Sequence, residues 1–192
     1  MSRNLVAVGA LLLVFAAPAA AAPAGEALID RFMAVIPDAQ RLNQVDRTPS
    51  PEELAHLHSL NPGRDGDIGP ILAEHKACES IASNAATGSL LRGIARRFDE
   101  AKLGRLIQFY EGDDFRNFDA LMRRSNGGAT PSDADRAELE RIMAAYPLME
   151  YHEGFQAAYF TLFEDPTYIT ALDRCSETKR AAFARLGLRT AD

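Results

Sequence analysis

The chain has 192 residues, 47% of them hydrophobic and 25% charged, with 21 Lys and Arg against 27 Asp and Glu for a net charge of −6. That acidity speaks against nucleic acid as a partner, because a phosphate backbone rewards basic patches. Beyond the N-terminal stretch, no run approaches the roughly 20 consecutive apolar residues that a membrane helix needs.

Arg3 and the amino terminus form a weakly basic region, residues 5–15 are a short apolar run, and residues 16–24 are a small-residue tail with Pro18 and Pro23. This is the pattern of a secretory signal peptide and is too short to span a bilayer comfortably. Cleavage after Ala21 keeps Pro23 off the position directly after the cut, and cleavage after Ala24 is the alternative. The expected organisation is a signal peptide over 1–21 and a single helical domain over 22–192, located in the periplasm. No cysteine lies near the cut, so a lipid anchor is not expected. Loss of Arg3 leaves 20 basic residues against 27 acidic ones, a net charge of −7. About 170 residues remain, one domain's worth.

Residues 24–36 carry Leu28, Phe32, Val35 and Ile36 on one side, a first helix stopped by Pro37, and 38–47 read as polar loop. Ser50-Pro51-Glu52-Glu53 is a helix start with a capping serine, proline at the first helical position and Glu53 closing a capping box. That helix points Leu54 and Leu57 inward and ends at Asn61-Pro62-Gly63. Residues 63–70 hold Asp65 and Asp67 among glycines, but the calcium-loop pattern lacks its closing glutamate and Pro70 interrupts it, so a solvated turn is expected. From Ile71 a helix carries Leu72, His75, Cys78 and Ala82, breaks over 84–88, and resumes with Leu90, Leu91, Ile94, Ala95 and Phe98.

Two short amphipathic helices then meet at a corner. Asp99 is the N-cap of the first, whose stripe is Leu103, Leu106, Ile107 and Tyr110. Gly112 is expected to end it in the left-handed conformation, with Asp113 or Asp114 capping the second, whose stripe is Phe115, Phe118, Leu121 and Met122. Helices this short must bury their faces against further helices. Thr130-Pro131 is read as the next start, with Leu139, Ile142, Met143 and Tyr146 inward and a break at Pro147. Over 148–163, Leu148, His152, Phe155, Tyr159 and Leu162 share a face. Asp165-Pro166 caps the last helix, which points Leu172, Cys175, Phe183 and Leu186 inward, ends at Gly187 and leaves a fraying tail. With no strand-period alternation longer than four residues, the expected fold is all-α, a compact array of about seven or eight short helices.

The run Leu106-Ile107-x-Phe109-Tyr110, followed at once by a second amphipathic helix, resembles a family of small exported Gram-negative proteins classed as a domain of unknown function. The likeness is best over 90–124 and extends to Ala144-Ala145-Tyr146-Pro147-Leu148. Glu111-Gly112-Asp113-Asp114 stands where that family commonly has a Ser/Thr-Pro-x-Gly turn. The resemblance implies a periplasmic helical domain and brings no reaction, cofactor or catalytic residue with it.

Cys78 and Cys175 are the only cysteines, and in an oxidising compartment they are expected to pair. Closing a loop of about a hundred residues stabilises by about 4–5 kcal/mol in the chain-entropy model, less any native strain. A redox pair lacks CxxC spacing, and a catalytic thiolate has only His75, one turn before Cys78, as activating neighbour. His56 and His58 lie roughly 200° apart around a helix and cannot chelate one ion together. His75, Cys78 and His152 make a metal set only with Cys78 free, and His152-Glu153 lacks the second histidine of a zincin helix, so no metal and no cofactor are expected. Glu150 and Glu153 are a carboxylate pair better read as solvated surface, and no Gly-x-Ser-x-Gly elbow or phosphate loop is present. The aromatic set Phe155, Tyr159, Phe160 and Phe163 reads first as core. The candidate groove for an apolar ligand or a partner helix is Phe109, Tyr110, His152, Phe155 and Tyr159. The expected function is a non-enzymatic binding or interaction module for an envelope protein or a small apolar molecule. The alternative is a thiol-dependent or hydrolytic enzyme using Cys78, His75 and a carboxylate.

Overall fold

The computed structural model describes residues 22–190, and the expected signal peptide lies outside them. Among the described residues the fold is all-α, with nine helices and no strand. They are α1 (Glu26–Val35), α2 (Pro37–Arg41), α3 (Pro51–Leu60), α4 (Asp65–Ala95), α5 (Glu100–Glu111), α6 (Asp113–Asn126), α7 (Asp133–Ala145), α8 (Leu148–Leu162) and α9 (Pro166–Arg185). No helix among them is long and apolar enough to cross a membrane.

The array is organised on α4, which at 31 residues is about 46 Å long and longer than the sequence pattern suggests. The expected turn over 63–70 is mostly helix: Asp65 and Asp67 stand in the first turn, where the helix dipole favours them, and Pro70 is accommodated inside the second. The expected break over 84–88 is absent as well. The Asn84 amide leaves the helix to donate to the carbonyl of Gln44 at 2.9 Å, and Gly88 lets Leu42 approach, its Cδ1 standing 3.4 Å from where a Cβ would be. Residues that read as helix breakers serve here as contacts to the 42–50 connection.

Two cores flank α4. The larger joins Ile29, Phe32 and Ile36 of the α1 segment, Leu91, Ile94 and Ala95 of α4, Leu103, Leu106, Ile107 and Phe109 of α5, and Leu148 and Tyr151 of α8. The smaller joins Leu57 of α3, Ile68 and Leu72 of α4, Phe183 of α9 and Leu188 beyond it. Cys78 on α4 and Cys175 on α9 are disulfide-bonded, with Cα atoms 5.7 Å apart.

Capping explains the helix starts that periodicity could not place. Asp99 accepts from the Lys102 amide at 2.8 Å, and Asp165 accepts from the Thr167 amide at 2.7 Å, as expected. Ser50 caps α3, but Glu53 does not close a box, because its carboxylate accepts instead from Lys179 Nζ at 2.9 Å. The α7 start lies past Thr130-Pro131 at Ser132, which forms a complete capping box with Asp135. The expected loop after Pro37 begins with the single-turn α2, for which Pro37 supplies a pre-set φ at the first position.

The tail is tied to α3 as far as Arg189. The buried Asn61 donates from Nδ2 to the carbonyls of Leu57 at 3.0 Å and Arg189 at 2.9 Å, and its Oδ1 accepts from the Arg189 amide at 2.7 Å. This clamp turns Leu188 into the smaller core and leaves Leu186, expected inside, exposed. Met122 of α6 is likewise exposed, and Phe115 and Phe118 are only half-buried.

Gly112 also differs from expectation. It is extended, with φ −94° and ψ 176°, and acts as the N-cap of α6 rather than as a left-handed terminator. Its glycine identity is required by space: a Cβ would stand 2.8 Å from the carbonyl oxygen of Gln108. Gly104, inside α5, has nothing within 4 Å of its missing Cβ. Gly112→Ala is therefore expected to destabilise by about 1–3 kcal/mol. Gly104→Ala should stabilise by about 0.5–1 kcal/mol. Urea unfolding of both variants checks the pair, and equal effects of one sign would contradict it.

Candidate functional site

Helix α8 carries two overlapping apolar stripes. Leu148, Tyr151 and Leu162 are buried with Phe155 and Ala158 half-buried beside them, while His152 and Tyr159 are exposed. Small residues decide between the two. A methyl at Gly154 would stand 3.6 Å from Ile94 Cγ2, and Ser89 and Gly93 of α4 face Ala158 and Thr161 of α8 across a shallow cavity. With its small-residue side turned to α4, α8 must send its aromatic side outward.

The result is an aromatic ladder over the α8–α9 corner. Phe155 stacks on Tyr159 with ring centroids 5.9 Å apart, Tyr159 meets Phe163 edge-on at 5.3 Å, and Phe163 meets Tyr168 at 6.4 Å. Tyr168 is fixed to α4 by a hydroxyl–hydroxyl hydrogen bond to Ser83 at 3.0 Å. Beside the ladder, Phe160 is 73% exposed and Phe163 56% exposed, and Ile169 in the first turn of α9 is exposed too. The expectation that Phe155, Tyr159, Phe160 and Phe163 all bury as a core stripe is thus corrected, because only Phe155 packs against the larger core.

The five candidate groove residues divide. Phe109 is 2% exposed and lies among Tyr110, Phe115, Phe118 and Tyr146 with centroid distances of 5.1 to 5.8 Å. Tyr110 packs edge-on against Phe32 at 6.3 Å, and burial pushes its phenol far above the ordinary range. Phe155 and Tyr159 belong to the ladder, and His152 is exposed on α8. Tyr151, which no sequence reading singled out, is buried edge-on to Phe32 at 5.7 Å with its hydroxyl unpartnered. Burial first, then the nearby Tyr110 and Asp38, push its phenol upward as well. The available signal was its spacing, i+3 from Leu148 and i−4 from Phe155.

Tyr146 and Asp114, from the two stretches that carry the family resemblance, meet in space. The Tyr146 hydroxyl donates to Asp114 Oδ2 at 2.7 Å, and Arg141 donates to both Asp114 and Glu138. The Arg141 hydrogen bond, followed by that of Tyr146, holds the Asp114 carboxyl below the usual carboxylate range. This network ties α6 to α7.

Cys78, Cys175, His75, Ile71 and Lys179 line a cavity of about 330 Å³. The His75 side chain is 9% exposed, its Nε2 is 3.2 Å from Glu79 Oε1, and its Nδ1 is buried without a partner. Cys78 is bonded to Cys175, so it is not a free thiol beside this imidazole. His56 is exposed, and His58 Nδ1 lies 3.5 Å from Asp65. Among the described residues, no three His, Cys, Asp or Glu side chains are arranged to hold a metal ion. No family model matches the chain, and comparisons with curated proteins and with solved structures find no match either.

Core and ladder differ measurably. Phe109→Ala should cost about 3–5 kcal/mol in urea unfolding. Phe160→Ser should stay within about 0.5 kcal/mol. A large loss at Phe160 would place that side chain in a core. Asp114 titrates below its unfolded value, so its contribution is present above that value and is lost as pH falls through the depressed one. The difference in Tm between wild type and Asp114→Asn is therefore expected at neutral pH and should narrow as pH falls below the ordinary carboxylate range. A difference that persists in acid would assign the effect to packing instead.

Proposed function

We propose that this chain is an exported, non-enzymatic helical interaction module that docks an apolar face of an envelope protein. The observation that carries this reading is the aromatic ladder with Phe160 beside it, apolar surface held outside either core. Soluble domains seldom leave several neighbouring aromatics in water without a partner, and aromatic side chains are enriched at interface centres. The Ser83–Tyr168 hydrogen bond and the stacked rings pre-order the surface, which lowers the entropy lost on docking. A periplasmic location is supported by the signal-peptide pattern, by the resemblance over 90–124, and by a disulfide of the kind that persists in oxidising compartments. The thiol-dependent alternative lacks its nucleophile while Cys78 is bonded.

A photoreactive benzoyl-phenylalanine placed at position 160 in cells secreting the full chain tests the reading. One protein adduct is expected, lost when Phe163→Asp is added and absent when the probe stands at the exposed Glu177 on α9. Failure to form an adduct, or an adduct indifferent to Phe163→Asp, would remove the ladder as a docking surface. Co-purification of an apolar small molecule displaced by Phe163→Asp would instead make the ladder a ligand site.

A further inference from the structure

The two cores are held together unevenly. Among the described residues, the larger core draws nothing from α3 or α9. The smaller core has five buried residues and depends on α3, the first turns of α4, the end of α9 and the tail. Its polar ties run among the same pieces: Asn61 to Arg189, Arg64 to the Leu186 carbonyl at 3.1 Å, and Lys179 to Glu53. A ten-residue helix such as α3 is marginal alone, and a core this small gives it little support. The one covalent link between the second half of α9 and α4 is at Cys175, midway along the 20-residue helix. Cys175 is itself buried, whereas Cys78 is half-buried, and both line the open cavity beside His75.

We infer that the Cys78–Cys175 bond is a redox-operated latch that holds the small-core unit against α4 and lets it open on reduction while the larger core stays folded. A reducing dithiol reaches the bond from the cavity. Its thiolate attacks Sγ of Cys78, the S–S bond breaks, and Cys175 leaves as a thiolate that takes up a proton. The second thiol then attacks the mixed disulfide and releases Cys78, so that the dithiol is oxidised to a disulfide by two electrons and both cysteines are reduced. What opens is α3, residues 176–190, and the apolar side chains between them. The latch stands independently of any partner of the aromatic ladder.

Hydrogen–deuterium exchange with mass spectrometry tests this on the full chain before and after dithiothreitol, with Cys78→Ala/Cys175→Ala as the reductant-free counterpart. Amides of α3 and of 176–190 are expected to exchange about tenfold faster or more once the bond is gone, with α1 and α5 unchanged. Reoxidation should restore the original rates. Unchanged exchange in α3 and the tail would overturn the latch. Equal acceleration in α1 and α5, or a double variant that does not fold at all, would make the bond a staple of the whole molecule instead.

Discussion

The short helices α1, α3, α5 and α8 depend on burying one apolar face against α4 or against a helix that α4 supports. Helices of 10 to 15 residues have little stability of their own, and α1, α3, α5 and α8 are all of this kind. The first turns of α4 offer Ile68 and Leu72 to α3 and α9, and its last turns offer Leu91, Ile94 and Ala95 to the larger core. The continuity of α4 through 84–88 is therefore the constraint that makes two apolar clusters into one array.

The legible parts of this structure were those whose cause is local. Asp99, Ser50 and Asp165 cap because a short polar side chain can reach an orphan amide two or three residues on. Leu103, Leu106 and Ile107 are buried because their spacing leaves no other face to bury. The cysteine pairing followed from count and compartment. The illegible parts have remote causes. Asn84 stays helical because its side chain finds Gln44, Leu188 replaces Leu186 because Asn61 clamps Arg189, and Gly112 is required by the Gln108 carbonyl rather than by its own φ. Of the candidate groove, Phe155 and Tyr159 lie ring on ring. Phe109 and Tyr110 instead stand in or against the larger core, and aromaticity alone does not distinguish the centre of a core from the rim of a surface.

The disulfide and the smaller core illustrate a division of labour. Few apolar side chains are available at the α3 end of α4. Polar clamps from Asn61 and Arg64 hold the tail's backbone, and the covalent bond fixes α9 from its midpoint.

The outward face of α8 follows from the same geometry. Whichever stripe of this helix meets α4, the other must face away, because aromatics and small residues alternate around it. Packing on Tyr159 and Phe160 would have buried more area, since an aromatic side chain covers 150–250 Å². It would also have pushed α8 away from Ile94 and emptied the close contact made at Gly154. The close approach wins because Tyr151, on the small-residue side, already fills the larger core next to Phe32, and Leu162 is buried on the same side. Exposure of Phe160 and Phe163 is thus the consequence of a well-packed interior, and it leaves the protein with apolar area that only a second surface can remove from water.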